Sequence, residues 1–397
     1  MRMSKIDEMV KRLCPDGVDF YPLNEVFDLK NGYTPSKKKP EYWVDGTVNW
    51  FRMDDIRVNG RVLSDSIQKV SEGAIKGGRL FDANSLIVAT SATIGEHALV
   101  TVPFMCNQRF TCLTRKPAFR DLLDMKFVLY YADVLDKFCL DNTNKGGFAS
   151  VAMGAFKSFP FPVPPLEIQR EVVRVLDSFA ELEAELEAEL EARKAQYAYY
   201  RDKLLAFDNI EMQRERDLQW LTIGEVFKLK AGKHISSELI SAMQSEVCPY
   251  PCFGGNGLRG YVSMANESGE HVLIGRQGAL CGNVCFAQGQ FYATEHAVVV
   301  SCGESALPRF AFHLLTAANL NQYKSQGAQP GLAVTNLNDV VVPIPPLRIQ
   351  RQVVNILDRF DALTTSLTDG LPAEIEARRQ QYEYYRDKLL SFPRKMA

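Results

Sequence analysis

Several stretches have the residue types and spacing of chemical sites. Phe253-Gly-Gly-Asn-Gly257 has the F-x-G-x-G form that holds adenosylmethionine, and Gly255-x-Gly257-x-x-Gly260 has the form of a dinucleotide loop. Such a loop works when a strand precedes it and a helix opens on its last glycine, so that the helix N-terminus faces the phosphates. Gly260 is followed instead by Tyr-Val-Ser-Met-Ala-Asn, which has no amphipathic helical period. The Asn/Asp-Pro-Pro-Phe/Tyr quartet with which an amino-methyltransferase would hold a flipped base is absent from the chain. Pro15-Asp16 followed by Asp28-Leu29-Lys30 resembles a metal-nuclease signature, but Lys228 stands at the repeat position of Asp28. Cys248 and Cys252, Cys281 and Cys285, and Cys302 lack the close pairs of a zinc knuckle and are read as buried thiols. Five scattered histidines form no Ser/His/Asp constellation, and no phosphate loop ends in Gly-Lys-Ser/Thr.

Recognition remains. A loop after Pro35 carries Lys37, Lys38 and Lys39, followed by Arg52, Arg57, Arg61, Arg79 and Arg109, with polar turns at Asn107-Gln108 and Asn144-Lys145. A later stretch offers Lys233, His234, Asn256, Arg259, Arg276, Gln277, His296, Lys324, Gln326 and Gln329. Arg and Lys suit guanine edges, Asn and Gln suit adenine edges, and lysine clusters hold phosphates. These residues are the candidate DNA contacts, and the glycines at 253–257 would let backbone approach DNA. The net charge of −2 argues against nonspecific adhesion by the chain as a whole. A Glu-rich stretch, Glu181 to Glu191, supplies much of the acid, so a local basic face is allowed.

The elements that must position these residues come in duplicate. Val163 to Phe207 reads VPPLEIQREVVRVLDSFAELEAELEAELEARKAQYAYYRDKLLAF, and Ile344 to Phe392 repeats it from IPPLRIQRQVV to YEYYRDKLLSF. Pro164 and Pro345 lie 181 residues apart, and Tyr199 and Tyr384 lie 185 apart. The four extra residues sit around Asp369, Gly370, Leu371 and Pro372, where a bend or short break is expected. Each copy reads as a long helix with a coiled-coil seam. In the first copy the seam is Val172, Leu176, Phe179, Leu182, Leu186, Leu190, Tyr197, Tyr200 and Leu204. In the second it is Val353, Leu357, Phe360, Leu363, Leu367, Leu371, Ile375, Tyr382, Tyr385 and Leu389. Two such helices separated by a globular segment can cover each other's seams, most easily antiparallel.

The segments before the helices echo each other more faintly. Leu23 to Gly32 matches Ile223 to Gly232, each a strand-like Val-Phe-x-Leu-Lys before a glycine turn. Leu86 to Gly95 parallels Val272 to Gly282, and a shift of 187 sets Asn107-Gln-Arg-Phe110 on Thr294-Glu-His-Ala297. Lys126 to Tyr131 and Arg309 to Leu314 read as helices. The order is module, helix, module, helix, with a shared scaffold and unlike surfaces.

At 397 residues the chain has room for two or three domains, each with its own core. No apolar run reaches membrane-span length, the start MRMSKIDEMVKRL has no signal-peptide core, and nine cysteines without framework spacing fit reduced thiols. A cytoplasmic location, without membrane association, is expected.

With two Pro-Pro-Leu-x-Ile-Gln-Arg helix starts, two Tyr-Tyr-Arg-Asp-Lys-Leu-Leu ends and two Leu/Ile-x-Glu-Val-Phe-x-Leu-Lys-x-Gly module starts, essentially the whole chain resembles the specificity (S) subunit of type I restriction–modification systems. Members more often carry Glu before that Gln, where this chain has Ile168 and Ile349. The resemblance implies an α+β architecture: two similar mixed α/β target-recognition domains, and two long helices forming a pseudo-twofold antiparallel coiled coil. The expected parts are a first recognition domain at 1–162, a central spacer helix at 163–207, a second recognition domain at 208–343 and a C-terminal helix at 344–397. It implies no catalysis and no cofactor in this chain. Its partners would be double-stranded DNA with a bipartite sequence, two modification (M) subunits and two restriction (R) subunits. Adenosylmethionine would belong to M, which methylates adenine N6, and ATP with Mg2+ to R, which cleaves DNA. The three Ala-Glu-Leu-Glu units from Ala180 to Glu191 are similar to the family's gap-setting tetrapeptides. Two other classes compete: a self-contained DNA methyltransferase or nuclease, marked by methylation or adenosylmethionine binding by the chain alone, and a coiled-coil scaffold that reads no DNA.

Overall fold

The computed structural model describes residues 5–144, 149–207, 218–278, 280–325, 331–366 and 368–395. It falls into two compact units, Met1–Ala184 with Ala377–Ala397, and Glu185–Glu376.

The first unit begins with helix α1 (Lys5–Leu13) and contains strands β1 (Phe27–Asn31), β2 (Val48–Phe51), β3 (Val62–Leu63), β4 (Lys69–Val70), β5 (Ser85–Ala89), β6 (His97–Val100), β7 (Met105–Cys106) and β8 (Phe110–Arg115), then helix α2 (Met125–Asp141). A five-stranded sheet runs β1-β8-β5-β6-β3 and a three-stranded sheet runs β4-β2-β7, in which β2 and β7 are parallel. Strand β5 is buried on both faces, which explains its unbroken apolar run. Leu86 and Val88 pack with Phe127 and Tyr131 of α2, whereas Ile87 and Ala89 pack with Phe51, Phe104 and Cys106 of the other core. Asp124 caps α2 by accepting from Lys126 N at 2.8 Å.

The second unit repeats this plan with β9 (Phe227–Ala231), β10 (Tyr250–Gly254), β11 (Gly257–Val262), β12 (Glu267–Ser268), β13 (His271–Gly275), β14 (Val284–Ala287), β15 (Gln290–Ala293) and β16 (Ala297–Cys302). Its sheets run β9-β16-β13-β14 and β11-β10-β15-β12, with β10 and β15 parallel. The glycine motif at 253–260 is a β10–β11 hairpin rather than a strand-to-helix loop. All nine cysteines are free thiols; Cys252 and Cys281 are buried, and Cys248, Cys285 and Cys302 are half-buried.

The first repeat copy is one continuous helix, α3 (Leu166–Ala206). The second copy shows the break expected at its four extra residues. After the module helix α4 (Pro308–Ala317) it forms α5 (Leu347–Thr365) and α6 (Leu371–Leu389), broken where the four extra residues fall. At Gly370 a Cβ would come within 2.7 Å of Ala362 O and 2.8 Å of Leu363 O, so this close approach of the chain to the end of α5 admits only glycine.

Each unit pairs the start of one repeat helix with the end of the other, antiparallel. In the first, Phe179 of α3 stacks on Tyr385 of α6 at 5.7 Å and meets Tyr382 edge-on, and Arg379 reaches Glu183 at 2.6 Å. In the second, Tyr200 of α3 stacks on Phe360 of α5 at 5.7 Å. Leu176, Leu186, Leu357 and Leu389 are buried on these seams, while Leu182, Leu190 and Leu204 are half-buried. Leu367 lies outside the described residues.

Candidate nucleic-acid interface

Two equivalent rims carry the candidate contacts. In the first unit a tight turn follows β7. Asn107 N donates to Phe51 O (3.1 Å), Phe110 N to Asn107 O (3.2 Å), Gly32 N to Phe110 O (3.0 Å), and Thr90 N to Arg109 O (2.9 Å). The second unit makes the same bonds: Thr294 N to Phe253 O (2.9 Å), Ala297 N to Thr294 O (3.0 Å), Gly232 N to Ala297 O (3.0 Å), and Arg276 N to His296 O (2.9 Å). The shift of 187 between these turns therefore holds in three dimensions. Gly32 and Gly232 are both required, because a Cβ on either would strike the turn carbonyl of Asn107 or Thr294.

The side chains on this common backbone differ. Asn107 Oδ1 caps the turn by accepting from Arg109 N at 2.9 Å, and Thr294 Oγ1 does so more loosely for His296 N at 3.4 Å. Across the turn Thr34 donates its hydroxyl to Gln108 Oε1, whereas His234 Nδ1 bonds Glu295 Oε1 at 2.9 Å. His296 Nε2 lies 3.4 Å from the same carboxylate oxygen. Burial pushes the Glu295 carboxyl up, but the His234 bond and both imidazoles outweigh it, leaving the group below the usual carboxylate range.

Arg52 stands at the end of β2 beside Asn107, over the Trp50 ring at 5.6 Å, with Asp54 at 3.6 Å. Gly254 takes its place in the second unit. Arg57 pairs with Glu96 at 3.0 Å. The loop that leaves the first rim at Thr34 carries the exposed Lys37, Lys38 and Lys39, the last bonded to Tyr42 OH at 3.0 Å. Arg79 and Arg109 are exposed. In the second unit Lys233 bridges Thr294, Gln277 bridges Gly331, and Gly255 packs against the carbonyls of Gln277 and His296, which brings exposed Asn256 to the same rim. Exposed Arg259 follows on β11, and Lys324 bonds Asn321 beside the stem at Ser325 and Gly331. Lys145, Gln326 and Gln329 lie outside the described residues.

One predicted contact is occupied elsewhere. Arg61 binds Asp133 at 2.7 Å and lies 3.2 Å from His97 Nε2, while His97 Nδ1 meets Asp136 at 2.6 Å. His97, Asp133 and Asp136 lie close enough to share a cation. The Arg61 guanidinium already supplies positive charge to this buried group.

Sequence reasoning also passed over the residues that seat each module on its helix. Gln169 is fully buried, accepting from Asp124 N (2.8 Å) and donating to Leu122 O and Pro164 O. Gln350 repeats this with Leu307 N (2.9 Å), Ser305 O and Pro345 O. The Ile-Gln motif named in both copies was the available signal. Two turns further on, Lys126 and Tyr130 bind Asp177 at 2.8 and 2.7 Å. Their counterparts Arg309 and His313 bind Asp358, both at 2.7 Å. Tyr197, expected on the helix seam, bonds His313 Nδ1 at 2.9 Å instead.

The family model for the type I restriction modification DNA specificity domain matches residues 15–192 and again 215–377. The chain belongs to this family. It is 52% identical to the type I restriction enzyme EcoprrI specificity subunit of Escherichia coli, over 92% of this chain and 93% of the relative. Two solved structures share the fold at 17% identity. One is the S subunit from M. genitalium, with a TM-score of 0.54 over 96% of this chain and 97% of that one. The other is a chain from work on the assembly and conformational transition of the type I R-M system, with a TM-score of 0.66 over 94% and 97%. As a type I specificity subunit the chain serves DNA recognition, is not the catalytic subunit of its complex, and has no cofactor of its own. Its partners are DNA and the modification and restriction subunits of the system. Among the described residues no helix is long and apolar enough to cross a membrane.

Proposed function

We propose that the two rims read the two halves of a split double-stranded DNA target. The observation that carries this reading is the repetition of one turn backbone under unlike polar side chains, Thr34, Asn107, Gln108 and Arg109 against His234, Thr294, Glu295 and His296. A shared backbone would present each set to DNA in the same way, and the difference in side chains would give two different half-sites. Lys37 to Lys39 would hold phosphates, positioning the first module without specifying a base.

The paired helices would dock two M subunits that methylate adenine N6 with adenosylmethionine. Two R subunits would add ATP- and Mg2+-dependent cleavage, in the cytoplasm and away from membranes. All three Ala-Glu-Leu-Glu units lie within α3. Deleting Ala184 to Glu187 removes about 6 Å and leaves a rotation of about 40°, close to one base pair's twist at about 10.5 pairs per turn. The unread gap should then shorten by about one base pair.

The test is methylome sequencing of a plasmid from cells expressing this chain with its modification partner. A split motif with one methylated adenine on each strand, lost when this chain is omitted, is the expected result. A stable complex that leaves DNA unmethylated would overturn the reading, and an unchanged gap in the deletion variant would refute the spacer role alone.

A further inference from the structure

Two stacked ring pairs join the repeat helices, Phe179 with Tyr385 and Tyr200 with Phe360, each at 5.7 Å. These contacts lie 21 residues apart on α3 and 25 residues apart in the second copy. An antiparallel pair tied at both places must cover one distance with both chains. On the unbroken α3 that distance is about 32 Å, at 1.5 Å per residue. In the second copy the helical steps, Phe360 to Thr365 and Leu371 to Tyr385, cover about 28 Å of it. Only about 3 Å remains for the six steps from Thr365 to Leu371, which would span about 20 Å if extended.

The break is folded to match. Gly370 lies against the carbonyls of Ala362, Leu363 and Ser366, so the chain has gained no length beyond the last turn of α5. Ser366 Oγ accepts from Thr368 N at 3.3 Å and from Asp369 N at 3.1 Å, which holds the fold together. Leu371 and Ile375 are buried, so the seam resumes directly after it. The surplus taken out of the pairing is four residues, the length of one Ala-Glu-Leu-Glu unit.

Resting on the DNA reading above, we propose that α3 alone sets the unread gap, and that the break between α5 and α6 is a slack joint that follows its length. A continuous helix has a fixed rise per residue, whereas a folded loop can be drawn out. The joint works in one direction. Each tetrapeptide added to α3 draws about 6 Å from it, so one or two additions stay within its reach and a third exceeds it. Removing a tetrapeptide asks the joint to shorten when it is already folded, so about one turn of α5 or α6 must unwind instead.

The test combines methylome mapping of a plasmid, with the chain and its modification subunit expressed together, and thermal melting of the full chain. An extra Ala-Glu-Leu-Glu unit after Glu191 should lengthen the gap by about one base pair. Gly-Ser-Gly-Ser inserted between Asp369 and Gly370 should leave the gap unchanged. Gly370→Ala should lower the melting temperature of the wild-type chain, because its Cβ meets the α5 carbonyls. In the chain with the extra unit the loop is drawn away from α5, and the same substitution should cost much less, a non-additivity that marks the coupling. A gap that shifts with the loop insertion, or stays fixed when α3 is lengthened, would overturn the assignment to α3. An equal loss from Gly370→Ala in both chains would overturn the joint. A wild-type complex that yields no split motif would overturn the DNA reading itself, and the melting comparison judges the joint independently of it.

Discussion

Where each module meets its helix, the two units are nearly the same molecule, and at their rims they are not. Gln169 and Gln350 make the same three bonds, and Asp177 and Asp358 each receive a cation and a ring from the module helix. A buried polar clamp leaves little freedom, because losing one partner strands the others without water. The rims have no such penalty. Once Gly32 or Gly232 admits the turn, side chains that point to solvent can change from Thr and Gln to His and Glu. Where the seats do differ, the difference is chemical rather than geometric: Tyr130 has no proton to gain in mild acid, whereas His313 gains one once pH falls through its lowered pKa.

The comparison breaks or sharpens under four changes. The largest effect should come from the seams: Leu176→Ala and Leu357→Ala, at fully buried positions, should each destabilise by about 2–5 kcal/mol. Calorimetry should find the loss in the matching unit, and a large disparity would mean that the two seams pack differently. Next, Gln169→Leu and Gln350→Leu should each cost about 2–3 kcal/mol in denaturant unfolding, since each strands a buried N–H and two carbonyls. A near-neutral result for one copy would show that its clamp is not equivalent.

The third change concerns pH. Burial lowers the pKa of His313, and the Arg309 charge adds to this against the Asp358 bond. The unfolded chain therefore takes up the proton more readily, so stability present above pH 6.5 is lost as pH falls through the lowered folded pKa. Asp358, held below its usual 3.8 by Arg309 and His313 despite burial, yields only in stronger acid. His313→Tyr, which copies the first unit, should flatten the slope of unfolding free energy just below pH 6.5. An unaltered slope would mean that other groups set it. The smallest effect is expected for Arg57→Ala, whose exposed pair with Glu96 is worth at most about 1 kcal/mol. Its unfolding midpoint should hardly move, and a large shift would show that the rim is more tightly built than its exposure implies.

The helices, their pairing sense and the matching starts of the modules were legible in the chain, because a repeat carries its own alignment and a seam at three-four spacing must be covered. The break before α6 was visible as four extra residues with Gly370 and Pro372. Arg61 shows the limit: a surface arginine by composition, it is bound to Asp133, 72 residues away. The pairs that distinguish the rims are equally distant, 74 residues for Thr34 and Gln108 and 61 for His234 and Glu295. No local period encodes such a meeting. The sequence alone therefore determined the repeated scaffold, through burial patterns that each helix and strand carries within itself. Tertiary structure decided which polar groups are consumed by the scaffold and which are presented, because a hydrogen-bond partner is chosen by proximity in space.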